Sequence, residues 1–334
     1  MASQQVRKAL GGDRRALARL FTHIERSHKH LVAVMREVHP HTGSAYSLGI
    51  TGPPGSGKST IVDGLIGLAR GEGKTVGVIA VDPTSPFSGG AVLGDRIRMQ
   101  RHCLDPGVFI RSLATRGVHG GLSQVASAAV RLLDAAGTDL VIVETVGVGQ
   151  TELDIRAVAD TVVVAMVPEG GDAVQAMKAG LMEIADIYVV NKADRDGAAQ
   201  LRAAIRGALS LGPPSTGWMP PVLLTEAHAG QGIPELYDSV WRHRDALVAS
   251  DLLEARRRQR RRLEYAQAVS VTLSAGLAAM LDGDGPLADT VETVESGQRD
   301  PYGAAAETLE DPALVRNLTS VLSDAEHKVP EDLN

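Results

Sequence analysis

The most constraining feature of this chain is a glycine-rich stretch between an apolar run and a helical pattern. Residues 52–60 read Gly-Pro-Pro-Gly-Ser-Gly-Lys-Ser-Thr, the spacing of a phosphate-binding loop between a strand and a helix. In such a loop backbone N–H groups approach the phosphates, Lys58 reaches the β and γ oxygens, and Ser59 supplies an oxygen ligand for Mg²⁺. The sequence predicts nucleoside triphosphate binding by Gly52, Pro53, Pro54, Gly55, Ser56, Gly57, Lys58, Ser59 and Thr60.

A second motif indicates which base is bound. The apolar run 187–190 leads into Asn191-Lys192-Ala193-Asp194, the N-K-x-D pattern of GTP-binding proteins. A carboxylate at Asp194 can accept hydrogen bonds from guanine N1–H and the exocyclic amine, and charged hydrogen bonds are worth about 1.5–3 kcal/mol each. Guanine selectivity is therefore expected from Asn191, Lys192 and Asp194. A loop of Thr225, Glu226 and Ala227 is expected to bring backbone groups to the guanine oxygen.

Acidic residues that end or follow predicted strands indicate a Mg²⁺ and water site. Asp82 and Glu144 end apolar runs, and Asp95 lies in a glycine-rich loop. Mg²⁺ is held by few carboxylates and keeps several waters, so Ser59, Asp82, Asp95 and Glu144 are the candidate metal ligands. A helix cap or a salt-bridge partner remains the alternative for each carboxylate.

The segment around Glu144 also predicts the rate of hydrolysis. Glu144-Thr145-Val146-Gly147 stands where Ras-like proteins carry D-x-x-G, with the Gly147 amide able to sense the γ-phosphate. Val148 follows, in place of a water-orienting glutamine. Lys58, Asp95, Glu144 and Gly147 are the predicted catalytic residues, and hydrolysis is expected to be slow without a partner.

The pattern of apolar runs predicts an α/β fold with a mostly parallel sheet. Between Tyr46 and Ala249 seven continuous apolar runs alternate with helical segments, as in strands that are covered on both faces. Residues 1–45 are predicted to form an N-terminal helical arm, with an amphipathic helix over 13–38. Residues 46–249 are the nucleotide-binding domain, and residues 250–334 form a C-terminal helical arm.

Composition and charge exclude several functions. The 334 residues carry a net charge of −6 with 3% aromatic residues, so neither nucleic acid nor an anionic membrane is an expected partner. No apolar run reaches membrane length, and with the single cysteine Cys103 this predicts a cytoplasmic protein. His28, His30, His39 and His41 match no metal-ligand spacing. The basic run Arg256 to Arg262 is interpreted as a solvated helix face or an interface rim.

The motifs together resemble the G-protein chaperones of methylmalonyl-CoA mutase, the MeaB/ArgK/MMAA family. The resemblance is carried by ITGPPGSGKST, VDPTSPFSGGAVLGDRIRM, ETVGVGQTE, VPEGGDAVQAMKAGLMEIAD, VVNKAD and DPYGAA. It implies a P-loop GTPase domain of the SIMIBI class with helical arms, the C-terminal one forming a homodimer. It also implies GTP/GDP and Mg²⁺ as cofactors.

The resemblance further implies a client and the segments that address it. The client would be a B12-dependent acyl-CoA mutase that receives adenosylcobalamin, with a cobalamin adenosyltransferase as a second partner. Asp95 to Met99 would be a switch, and Pro168 to Lys178 a mobile segment that addresses the mutase. Thr225-Glu226-Ala227 departs from the T-S-A expected at the guanine loop. A nickel-type metallochaperone GTPase, a kinase acting on a transport protein and an assembly module without turnover are the alternatives.

Overall fold

The chain folds around one seven-stranded sheet. The computed structural model describes residues 3–26, 28–83, 100–102, 104–115, 121–145, 155–168, 181–210, 217–281, 286–313 and 316. All the pairings among the strands are parallel, and their order is β3-β2-β4-β1-β5-β6-β7. The strands are β1 (Tyr46–Thr51), β2 (Val76–Pro83), β3 (Val108–Thr115), β4 (Leu140–Thr145), β5 (Thr161–Met166), β6 (Ile187–Asn191) and β7 (Val222–Thr225).

The predicted α/β class and all seven predicted strands are confirmed. The third strand, expected to end at Ile110, continues to Thr115 because it stays in register with β2 along its whole length. Residues of β1, β4, β5 and β6 are buried throughout. This burial explains the continuous rather than alternating apolar runs, since each central strand is covered by helices on both faces.

Helices form a layer on each face of the sheet. On one face α4 (Lys58–Gly71) and α8 (Ile233–Ala249) pack on the strands. The other face is covered by α5 (Gly121–Ala135) and α7 (Ala198–Leu209) together with the N-terminal helices. The short helix α6 (Leu181–Ile184) precedes β6. None of the helices in the described part of the chain is both long and apolar enough to cross a membrane.

The N-terminal arm differs from the single helix predicted over residues 13–38. It consists of α1 (Gln4–Leu10), α2 (Arg14–Arg26) and α3 (His28–Val38). Within the predicted arm of residues 1–45 no helix was specified before residue 13, yet α1 forms there, capped by the Ser3 side chain and with Val6 and Ala9 buried. The arm shares the core of the sheet: Phe21 stacks on Phe109 of β3 with ring centroids 5.3 Å apart.

The C-terminal arm consists of α9 (Leu252–Leu281), α10 (Ala288–Glu295) and α11 (Pro301–Glu310). Its first helix carries the basic run, and the interpretation of that run as a solvated face or interface rim is wrong for three arginines. Arg257 and Arg260 both bind the carboxylate of Asp160, and Arg256 Nη1 lies 3.2 Å from Asp186 Oδ1.

We call this set of residues the arginine clasp: Arg256, Arg257 and Arg260 of α9 with Asp160 and Asp186. The two aspartates lie just before β5 and β6, at the amino ends of the strands. Helical spacing brings the three arginines to one side of α9. The basic run therefore fastens the C-terminal arm to the sheet domain.

Candidate nucleotide-binding site

The glycine-rich loop joins the carboxyl end of β1 to the first turn of α4. Gly52 has φ +139°, and a Cβ atom there would lie 2.0 Å from the carbonyl oxygen of Ala165. Gly57 has φ +85°, and a Cβ atom there would lie 2.3 Å from Asn191 Nδ2. Both positions therefore require glycine for backbone conformation and for space. The loop ends on the N-terminus of a 14-residue helix, where unpaired N–H groups and the helix dipole favour phosphate.

Lys58 and Ser56 place polar groups inside this loop. The Lys58 side chain is buried, and its Nζ donates to the carbonyl oxygens of Gly52 at 2.7 Å and Pro53 at 3.0 Å. The hydroxyl of Ser56 is fully buried and has no hydrogen-bond partner among the described residues. A buried hydroxyl is costly unless a hydrogen bond satisfies it. The loop thus holds the Lys58 ammonium group and the Ser56 hydroxyl, a hydrogen-bond donor, and both suit an anionic ligand such as a phosphate.

Ser59 and Glu144 bring two oxygens together beside the loop. The Ser59 hydroxyl donates to Glu144 Oε1 at 2.7 Å, and both residues are buried. The contact arises because β4 lies next to β1 in the sheet, with Glu144 opposite Ile50. A hydroxyl and a carboxylate oxygen are the hard ligands that Mg²⁺ prefers. These residues therefore fit the predicted metal site.

The remaining predicted phosphate and metal residues are less fully described. Asp82 lies near the carboxyl end of β2, opposite Ala114 of β3. This is the end of the sheet at which the glycine-rich loop follows β1. The Asp82 side chain is outside the described part of the structure, as are Asp95 and Gly147.

Asn191 connects the phosphate loop to the predicted base loop. Its side chain is buried, and Nδ2 donates to the carbonyl oxygen of Ser56 at 2.8 Å. Its Oδ1 accepts hydrogen bonds from Thr225 Oγ1 at 3.0 Å and from the Ala227 amide at 3.1 Å. The sequence predicted Asn191 and Ala227 as base contacts. In the structure they bind each other, so that one amide side chain fixes two loops relative to the same strand end.

Lys192, Asp194 and Glu226 complete the predicted base site. Lys192 adopts a left-handed conformation with φ 57°, which turns the chain away from β6 as the strand ends. Asp194 is exposed, and no described residue donates a hydrogen bond to its carboxylate. Glu226 pairs through its backbone with Gln231. An exposed carboxylate three residues after Asn191, the strand-end residue that contacts the phosphate loop, can accept hydrogen bonds from a base.

Two further polar residues at this end of the sheet were not predicted as site residues. Thr51 and Thr145 are buried, and Thr145 Oγ1 donates to Thr51 Oγ1 at 2.8 Å. Single threonines in apolar runs are common in strands. The pairing is visible only once β1 and β4 are neighbours.

Fold and site together define the class: a P-loop protein whose parallel sheet carries a phosphate loop, a carboxylate beside its serine, and an N-K-x-D strand end. The sequence model of the family "Methylmalonyl Co-A mutase-associated GTPase MeaB" matches residues 17–281. The chain belongs to this family of P-loop GTPases, as the motif resemblance predicted.

Individual relatives agree with this assignment. A protein of Pyrococcus abyssi (strain GE5 / Orsay) is 50% identical over 308 residues, which cover 91% of this chain and 95% of that protein. GTPase ArgK of Escherichia coli (strain K12) is 38% identical over 265 residues, covering 77% and 80%. A crystal structure of a LAO/AO transport system kinase is 30% identical, covers 92% of this chain and 96% of that one, and has a TM-score of 0.67.

Proposed function

We propose that this chain is a GTP-binding and GTP-hydrolysing chaperone for a B12-dependent acyl-CoA mutase, with methylmalonyl-CoA mutase as the first client to test. It would assist adenosylcobalamin loading and protect the mutase. The observation that carries the proposal is the match of the mutase-associated family over residues 17–281, a range that includes the whole nucleotide site described above.

Within this proposal the residues of the site have separate tasks. Lys58 exchanges the carbonyl oxygens that it now contacts for phosphate oxygens, to which it is a stronger, charge-assisted donor. Asp194 accepts hydrogen bonds from the guanine base. Ser59 and Glu144 hold Mg²⁺, with Asp82 and Asp95 as further carboxylates. Mg²⁺, when bound, neutralises charge on the phosphates.

The rate of GTP turnover with and without the mutase tests the proposal. Because Val148 stands where a water-orienting glutamine would be, the isolated protein should turn over at an unassisted rate, on the order of 10⁻⁴ to 10⁻² per second. Methylmalonyl-CoA mutase should raise this rate, and a tagged protein should co-purify with its B12-dependent client. A turnover rate that is unchanged by saturating mutase, with no complex formed, would contradict the chaperone role.

The predicted mutase-facing segment Glu169 to Lys178 lies outside the described residues. We propose that it transmits the effect of the mutase. Lys178→Ala should leave GTP binding nearly intact and weaken the mutase-dependent acceleration. Lys8→Ala, at an exposed position of α1, is the matched control and should retain full acceleration. If both variants respond to the mutase equally, this segment is not the relay.

Two alternative functions have their own tests. A nickel-type metallochaperone needs a ligand cluster rich in histidine or cysteine, and this chain has one cysteine and scattered histidines. A stoichiometric tight site in a nickel titration would support that role. A kinase role corresponds to the name of the solved relative, and transfer of labelled γ-phosphate to a protein acceptor would support it.

We also propose a homodimer formed through the C-terminal arm. The helix α9 exposes Val269 by 40%, Leu273 by 44% and Leu277 by 41%, four residues apart on one side of the helix and beyond the arginine clasp. Such a stripe of apolar side chains on one helix suits a two-fold interface. A cobalamin adenosyltransferase is the second proposed partner, to be sought in the same co-purification.

Light scattering on point variants tests the dimer better than removal of the arm. Deletion of residues 251–334 would also remove the arginines that bind Asp160 and Asp186. Leu273→Glu should convert the dimer to a monomer that still binds GTP, whereas Gln259→Glu, at another exposed position of α9, should not. A monomeric unaltered chain would rule the interface out.

A further inference from the structure

Two threonine hydroxyls meet where the pairing between β1 and β4 ends. The last paired residues of these two strands are Ile50 and Glu144. One position further along, Thr145 Oγ1 donates to Thr51 Oγ1 at 2.8 Å. Both threonines are almost fully buried, with 0% and 3% exposure. A side-chain hydrogen bond therefore joins the two strands just beyond the last paired residues.

The threonines lie on the opposite face of the sheet from the nucleotide contacts. Side chains alternate along a strand, and Leu140 and Ile142 of β4 belong to the core under α4. Glu144 shares that face and reaches Ser59 of α4, whereas Thr145 lies on the face of Val141 and Val143, in the other core. Thr145 therefore faces away from Ser59, yet it is covalently next to Glu144.

Packing by itself does not account for hydroxyls at these positions. Valine has nearly the shape of threonine, and the neighbouring strands use it freely at buried positions such as Val81 and Val164. A buried hydroxyl costs free energy unless it is hydrogen-bonded. A pair of valines would fill the same space in the core without that requirement. Two hydroxyls differ from two valines because they form a directional hydrogen bond. Such a bond can set the position of the end of β1 relative to the end of β4.

Both threonines are sequence neighbours of residues in the nucleotide site. Thr51 precedes Gly52, the first residue of the phosphate loop, and Thr145 follows Glu144. The loop leads to Ser59, whose hydroxyl lies 2.7 Å from the Glu144 carboxylate. We propose that Thr51 and Thr145 are positioning residues that hold Glu144 at the distance from Ser59 needed to bind Mg²⁺. The inference rests on the proposed GTPase function and concerns the metal-binding step.

The experiment measures how strongly Mg²⁺ slows release of a fluorescent GDP analogue, in excess Mg²⁺ and in EDTA. The ratio of the two release rates should fall about fivefold in Thr145→Val, the effect expected for one lost hydrogen bond. Release in EDTA should stay within about twofold of the unaltered chain, since no base or loop contact changes. Thr145→Ser keeps the hydroxyl and should restore the ratio.

The double variant Thr51→Val/Thr145→Val separates positioning from packing. Replacing both partners by apolar groups of the same shape is nearly neutral for stability, so its melting temperature should be close to that of the unaltered chain. Its Mg²⁺ ratio should stay as low as that of Thr145→Val. A full ratio in the double variant, or in a folded Thr145→Val protein, would overturn the inference alone. An unaltered chain whose GDP release does not respond to Mg²⁺ would overturn the proposed metal site as well.

Discussion

Asp160 is the buried anchor of the arginine clasp, and its replacement by asparagine should loosen the C-terminal arm. The carboxylate is 1% exposed and accepts hydrogen bonds from Arg257 Nη2 at 2.6 Å and from the Ser47 amide at 3.1 Å. Arg260 binds its other oxygen. Burial by itself would raise the pKa of Asp160, but the hydrogen bond from Arg257 and the charge of Arg260 outweigh it and hold the pKa below the ordinary value.

The magnitude follows from what the asparagine would leave behind. Removing one partner of a buried ion pair costs about 3–5 kcal/mol, because the other charge is left buried without compensation. The guanidinium groups that would lose the Asp160 carboxylate, those of Arg257 and Arg260, are 19% and 16% exposed. Arg257 also keeps its bonds to the carbonyl oxygens of Gly43 and Ala45. We therefore expect Asp160→Asn to lower the apparent free energy of unfolding by about 3 kcal/mol, the lower end of that range.

Urea unfolding at neutral pH provides the assay, followed by the fluorescence of Trp218 and Trp241, the two tryptophans of the chain. With a slope of about 3 kcal/mol per molar, the midpoint should fall by about 1 M. Arg258→Met is the matched control, since Arg258 is an exposed member of the same basic run, and it should change stability by less than about 0.5 kcal/mol. Equal midpoints for Asp160→Asn and Arg258→Met would refute the reasoning.

The pH dependence of the clasp provides a second check. Because the folded pKa of Asp160 lies below its ordinary value, the stabilisation is complete above that ordinary value and is lost as the pH falls through the folded pKa. The difference in stability between the unaltered chain and Asp160→Asn should therefore be constant near neutral pH and shrink only in acid.

Three further variants test the site and the core. Asp194→Asn should weaken GTP binding by about 2–4 kcal/mol, the scale of one or two charged hydrogen bonds, and equal affinity of the unaltered chain for ATP and GTP would contradict the base assignment. Burial lowers the pKa of His243 to about 4, so the free energy of unfolding should decline as the pH falls from about 6.5 to 4, where only the unfolded chain takes up the proton. In pH-dependent melts His243→Gln should remove about 3 kcal/mol of that decline. The control His228→Gln, at an exposed position, should not. Gly57→Ala should abolish nucleotide binding in a filter or fluorescence assay, because its Cβ would lie 2.3 Å from Asn191 Nδ2 at a positive φ; normal binding would show that the loop relaxes.

Local patterns were sufficient to predict the strands and the position of the glycine-rich loop. A strand covered on both faces needs a continuous apolar run wherever it lies in the chain, and residues 161–166 and 187–190 show such runs. A phosphate loop needs glycine at fixed positions because of its own backbone conformation, as Gly52 and Gly57 confirm. The helix over 4–10 escaped prediction because it buries little more than Val6 and Ala9, too few residues to form a periodic pattern.

The sequence by itself therefore determined the α/β class and the family, and it predicted the residues that are proposed to carry the chemistry, since each depends on spacing within a short segment. The tertiary structure decided which distant residues meet. Asn191 reaches Ser56 and Ala227 because β6 ends next to both loops. Thr145 meets Thr51 because β4 lies beside β1. The basic run of α9, which local sequence indicated to be a solvated helix face or an interface rim, binds Asp160 and Asp186. Contacts of this kind depend on strand order and helix packing, and the burial that makes them strong arises only when the whole chain has folded.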